Sequence, residues 1–103
     1  MAFFCLIIGF PASGQQLVQN GGFETGDFTG WTLSGNTEYT TVSTRYVHSG
    51  SYGASLGPSN TLGYISQTLS TSPGQRYALS LWLENPSGQQ PTEFQVLWNG
   101  TVI

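Results

Sequence analysis

Charge is what this chain has least of. Arg45 and Arg76 are its only basic residues, against Glu24, Asp27, Glu38, Glu84 and Glu93. Charged residues make up 7% of 103 positions and the net charge is −3, whereas about 25% is ordinary for a soluble protein. With no basic patch to neutralise phosphates, nucleic acid is not a partner this composition fits. Cysteine is nearly absent too: Cys5 stands alone, which rules out a disulfide within the chain and a cysteine-built metal site. The single histidine, His48, has no second histidine and no neighbouring cysteine with which to hold zinc. It also lacks the nucleophile elbow a serine triad needs. Fourteen glycines and five prolines recur so often that few windows have room for a helix of ordinary length.

Aromatic residues are abundant, with three Trp, five Tyr and six Phe, set among Ser, Thr, Asn, Gln and Gly. That argues against disorder, since disordered chains are poor in aromatics and usually rich in charge. The length favours one domain with a small core. Three segments alternate with a period of two. In "YALSLWLE", Tyr77, Leu79, Leu81 and Leu83 take one face, with Ala78, Ser80, Trp82 and Glu84 opposite. In "TEFQVLW", Phe94, Val96 and Trp98 oppose Gln95 and Leu97, and "YISQTL" groups Ile65, Gln67 and Leu69. Such alternation marks half-buried strands. "TSPGQ" and "NPSGQQP" are turns by composition. Closely spaced strands without a helical interval predict an all-β antiparallel sandwich or jelly roll.

The first residues, "MAFFCLIIGFPASGQQ", differ from the rest. Residues 2–10 are apolar throughout and are followed by Pro11, Ala12, Ser13 and Gly14. This is the pattern of a secretory leader with a small-residue cleavage site, minus its basic start, and the run is too short for a membrane span of roughly 20 residues. The reading is a signal peptide at 1–14 and a domain at 15–103; a buried first strand is the alternative. Export then places the domain outside the cell or at its surface.

The stretch "NGGFETGDFTGW" (residues 20–31) concentrates two of the five acids, Glu24 and Asp27, among glycines. A catalytic pair is disfavoured, because glycosidase carboxylates flank a bond inside a formed cleft, roughly 5–9.5 Å apart. A calcium site is open, since calcium takes six to eight oxygens from carboxylates and carbonyls. Turn chemistry is the simplest account of Asp27, with Phe23, Phe28 and Trp31 as core anchors. Near the other end, "LWNGTVI" sets Asn99-Gly100 between apolar residues, a strong hairpin signal. Its second arm has three residues, which reads as a domain incomplete at the C-terminus.

Taken together, "LVQNGGFETGDFTGW", "YVHSGSYGASLG", "ISQTLSTSPGQRYALSLWL" and "FQVLWNGTVI" resemble carbohydrate-binding-module-like domains of the CenC type. These are jelly rolls of the galactose-binding-like superfamily, and the likeness is greatest to bacterial exported proteins of the PEP-CTERM kind. It spans about residues 17–103. Such domains continue for several more strands and end in an acidic motif, which this sequence lacks. The resemblance implies a structural calcium as cofactor, held here by Glu24, the Gly22 carbonyl and a carbonyl near Ser49. It implies for His48 a structural place in the "HSG" turn.

A sugar presents a C–H face that stacks on an aromatic ring, with polar neighbours taking its hydroxyls. Trp82 sits on the polar face of its strand beside Glu84, and Gln95 lies opposite its own strand's apolar face. These three are the candidate glycan-binding residues. The expected function is a non-catalytic secreted module that binds polysaccharide or surface glycan, attached to further domains or an anchor. A structural or adhesive domain without sugar binding is the alternative. No nucleophile, acid–base pair or cofactor loop marks an enzyme.

Overall fold

The computed structural model of the protein describes residues 2–9, 16–58, 60–85 and 93–103. No helix occurs among them, and all strand pairing is antiparallel. The eight strands are β1 (Ala2–Gly9), β2 (Thr32–Gly35), β3 (Thr41–Ser43), β4 (Gly53–Leu56), β5 (Gly63–Ser66), β6 (Ala78–Glu84), β7 (Leu97–Trp98) and β8 (Thr101–Val102). They form a four-stranded sheet in the order β3-β4-β1-β6, a β2-β5 pair and a β7-β8 hairpin. This is the all-β antiparallel architecture expected from the alternating segments.

The apolar segment at the start is a strand. β1 lies between β4 and β6, with Phe4 opposite both Ala54 and Leu83, and Cys5 opposite Trp82. The residues expected to carry the leader's cleavage site, Pro11 to Gly14, lie outside the described residues, as does most of the "NPSGQQP" turn.

β6 covers the alternating "ALSLWLE" run, and Leu79 and Leu81 are half-buried while Ala78, Ser80 and Trp82 are exposed. The "YISQTL" run is shorter as a strand than its pattern. β5 ends at Ser66, and Gln67 then turns its amide to the backbone of Gln19, accepting from its N–H at 2.8 Å and donating to its carbonyl at 3.0 Å. The Gln67 side chain thus substitutes for a neighbouring strand. Residues 93–96 keep their in–out alternation without joining a ladder. The hairpin forms as its Asn-Gly turn dictates: Asn99 and Gly100 take φ of 50° and 78°, the two positive values that match the twist of the flanking strands.

The core is small. Phe23 and Ala54 are fully buried, and Phe28, Trp31, Val42, Tyr52, Leu56, Ile65, Leu81 and Phe94 pack around them. Phe23 stacks on Trp31 at 5.7 Å and meets Phe28 edge-on at 5.8 Å. The "NGGFETGDFTGW" loop therefore supplies much of the core. β4 brings the most deeply buried backbone, Gly53, Ala54 and Ser55, where small side chains let the loop's rings come close.

Candidate functional site

Residues 20–31 form a run of tight turns organised by Asn20. Its side-chain amide donates to the carbonyls of Asp27 (3.1 Å) and Thr29 (2.9 Å), and its Oδ1 accepts from the Thr25 N–H. Its own carbonyl accepts from the Phe23 N–H and the Trp31 indole N–H. One residue thus ties both ends of the loop and holds Phe23 and Trp31 in the core. Phe23 takes a positive φ of 59°, a conformation costly for a bulky residue and sustained here by its complete burial.

Glu24 and Asp27 have separate partners. Asp27 Oδ1 accepts from the hydroxyls of Thr25 (2.7 Å) and Thr29 (2.6 Å) and from the Thr29 N–H (3.0 Å). These bonds, the Thr29 hydroxyl first, hold its carboxyl below the ordinary value. Hydrogen bonds to the charged form always act in that direction. Glu24 instead reaches across to the loop before β4. Its two oxygens accept from the Ser51 N–H at 3.0 and 3.1 Å, and Oε1 also accepts from the Tyr52 N–H at 3.2 Å. Gly50 lets this happen. Its φ is +72°, and a Cβ there would run into the Glu24 carboxylate. On the other side, Gly26 lies under the Tyr52 ring, whose atoms stand 3.4–3.5 Å from where its Cβ would be. The two loops are therefore joined by a carboxylate–amide clasp and a ring-on-glycine contact.

The same loop reaches β6 at its other end. The His48 ring lies on the Trp82 indole with centroids 4.0 Å apart and planes within 13°. Trp82 is still 54% exposed, so the pair stands at the surface. Glu84 is two residues along β6, on the same face by strand periodicity, and also exposed. Gln95 is elsewhere. It lines a cleft of about 500 Å³ with Trp31, Tyr64, Leu79, Leu81 and Trp98, and its amide donates to Glu93 at 2.7 Å. The structure thus brings Trp82 and Glu84 together and leaves Gln95 on the other side of β6, where Leu79 and Leu81 point.

Residues 15–101, most of the chain, match the family model of carbohydrate binding domains (CBM_4_9). The protein belongs to the carbohydrate binding domain family. No curated protein and no solved structure matches it.

In this carbohydrate binding domain the calcium expectation meets a specific geometry. Glu24 does join the turn containing Gly22 to the loop containing Ser49, but the partners found are N–H donors rather than oxygens. A carboxylate has about four acceptor positions, and three are engaged by Ser51 and Tyr52. Among the described residues no three His, Cys, Asp or Glu side chains cluster. A calcium ion at Glu24 would therefore draw most of its six to eight oxygens from backbone carbonyls.

Two residues of consequence escaped the sequence reading. Asn20 carried no signal beyond its place before Gly21-Gly22, and its role depends on carbonyls seven and nine residues away. His48 reads from its neighbours as a turn residue; its stack on Trp82 arises from tertiary contact that no local pattern encodes.

Proposed function

We propose that this carbohydrate binding domain acts as a secreted, non-catalytic module that takes a polysaccharide or surface glycan onto Trp82. The observation that carries the reading is a large aromatic ring more than half exposed, lying against a second ring and flanked on its own face by Glu84. An exposed indole offers a flat apolar surface to the C–H face of a pyranose, and a neighbouring carboxylate accepts from its hydroxyls. Export is proposed on the leader-like composition of residues 2–14, and cleavage there would remove β1 and leave β4 and β6 without the strand between them; an exported bacterial setting of the CenC or PEP-CTERM kind belongs to the same proposal. Calcium enters it as a brace at Glu24, the Gly22 carbonyl and Ser49 only if further oxygen ligands join them.

Affinity electrophoresis through gels containing xylan, β-glucan, galactan or pectin tests the glycan reading. Retardation of the wild type by at least one polysaccharide, lost in Trp82→Ala, is the expected result. A Trp82→Ala variant retarded as strongly as the wild type would remove Trp82 from the site.

A structural or adhesive role without sugar is the second reading. It draws on the aliphatic part of the cleft wall, Leu56, Leu62, Leu69, Leu79 and Leu81, which adjoins Trp31, Tyr64 and Trp98. Absence of retardation in every gel supports this second reading.

A further inference from the structure

The His48–Trp82 stack does more than bury part of an indole. We propose that His48 is the back wall of a one-sided glycan platform, and that the Glu24 clasp sets the position of that wall. The inference rests on the glycan reading above and adds to it a positioning residue and a direction of approach.

A tryptophan on the exposed face of a strand would ordinarily turn about its side-chain torsions. Ordering it on ligand binding costs side-chain entropy, a loss that pre-ordering avoids. His48 supplies the pre-ordering. At 4.0 Å and 13° it lies flat on one indole face, and since Trp82 is still 54% exposed the opposite face is the one offered to a ligand. A pyranose ring therefore has a single stacking surface, with the exposed Glu84 beside it on the same strand face. The ligand class that fits is a neutral sugar with an uninterrupted apolar C–H face and hydroxyls at its edge. A uronic acid would bring its negative charge toward Glu84, in a chain whose net charge is already −3.

His48 is not held by the stack alone. Three residues further on, Ser51 and then Tyr52 donate their N–H groups to Glu24. Gly50 provides the left-handed backbone that makes this possible. The loop is thus pinned at Glu24 on one side and at Trp82 on the other. Loosening the first pin frees His48 to leave the second.

The test compares wild type, Trp82→Ala, His48→Ala, His48→Gln, His48→Phe and Glu24→Gln, each shown folded by far-ultraviolet circular dichroism. Two readouts are taken: retardation in gels of neutral xylan, β-glucan and galactan, with pectin as the acidic comparison, and iodide quenching of tryptophan emission without ligand. An aromatic pair contributes enough that His48→Ala and His48→Gln should weaken retardation roughly three- to tenfold. Both should raise quenching, because the second indole face becomes open. His48→Phe restores a ring and should return both readouts to within about twofold of wild type. Glu24→Gln should shift both readouts in the direction of His48→Ala.

Trp82→Ala abolishing retardation while His48→Ala and His48→Gln bind as wild type would overturn the back-wall proposal and leave the glycan reading standing. Wild-type behaviour of Glu24→Gln in both readouts would overturn the link to the clasp. Retardation of the wild type by no polysaccharide, or full retardation of Trp82→Ala, would overturn this inference together with the reading beneath it.

Discussion

The carboxylate of Glu24 crosses 27 positions of sequence to take the backbone N–H of Ser51, and the adjacent N–H of Tyr52 joins it. The bond connects the turn that supplies Phe23 to the loop that leads into β4. Hydrogen bonds to a charged group contribute about 1.5–3 kcal/mol each before exposure reduces them. Glu24 is exposed, so the lower end applies. Glu24→Ala is expected to destabilise the domain by about 1–2 kcal/mol, and Glu24→Gln, which keeps an acceptor oxygen, by less. Thermal melts of the three proteins check the order. Parallel melts with calcium and with EDTA test the brace: a calcium-dependent rise in wild type that vanishes in Glu24→Ala is its expected signature.

Gly50 sits at the same junction. Any side chain there meets the Glu24 carboxylate and must also adopt a φ of +72°. Gly50→Ala is expected to cost about 1–3 kcal/mol, more than Glu24→Gln, because the whole clasp has to shift. In the double variant Gly50→Ala/Glu24→Ala the steric part disappears, so its loss should be smaller than the sum of the two single losses. A thermal-melt double-mutant cycle measures this.

Asp27 gives the domain an acid-side dependence. Its folded carboxyl titrates below its ordinary value of 3.8, through the Thr29 hydroxyl first, then the Thr25 hydroxyl and the Thr29 N–H. A depressed folded value means the stabilisation is present above the unfolded value and lost as pH falls through the folded one. The destabilisation caused by Asp27→Asn should therefore shrink as pH falls below 3.8. Side-chain carbon NMR titration should also show the Asp27 midpoint rising in Thr29→Ala. An unchanged midpoint would mean that the short hydroxyl contact does not persist in solution.

Among the residues whose burial is described, Phe23 is the largest side chain with no exposure at all. Phe23→Ala removes the ring on which Phe28 and Trp31 both pack. Losses of about 3–5 kcal/mol are usual for such a change, a large share of the roughly 5–15 kcal/mol that holds a domain folded. The variant is expected to show lost near-ultraviolet dichroism and a broad or absent melting transition.

The parts of this structure visible in sequence are those where neighbouring residues suffice. Asn99-Gly100 dictates its own turn, and β6 announces itself through Leu79, Leu81 and Leu83 alternating with polar positions. The same parity placed Trp82 outward. β4 was hidden because Gly53, Ala54 and Ser55 bear almost no apolar signal; they are buried because their smallness lets other groups approach. β2 and β3, short and rich in Thr and Ser, lack a pattern for the same kind of reason. Residues 2–9 show the limit of composition, since an unbroken apolar run suits a leader and a central strand equally. Strand parity put Gln95 and Trp82 each on a polar face, but says nothing about whether two segments turn those faces to one site. The resemblance associated Glu24 with the segment near Ser49, as a calcium ligand. Its bonds to the Ser51 and Tyr52 N–H groups depend on how that distant loop is oriented.

The Asn20 amide has a consequence for how this protein ages. Its NH2 group donates to two carbonyl oxygens, and Gly21 follows it, the neighbour that least hinders loss of ammonia from an asparagine. Hydrolysis to aspartate would set a negative oxygen against the Asp27 and Thr29 carbonyls, turning attraction into repulsion at the knot of the loop. Asn99 also precedes a glycine, but it is at Asn20 that such a change would untie the loop. Asn20→Asp reproduces the aged form in fresh protein.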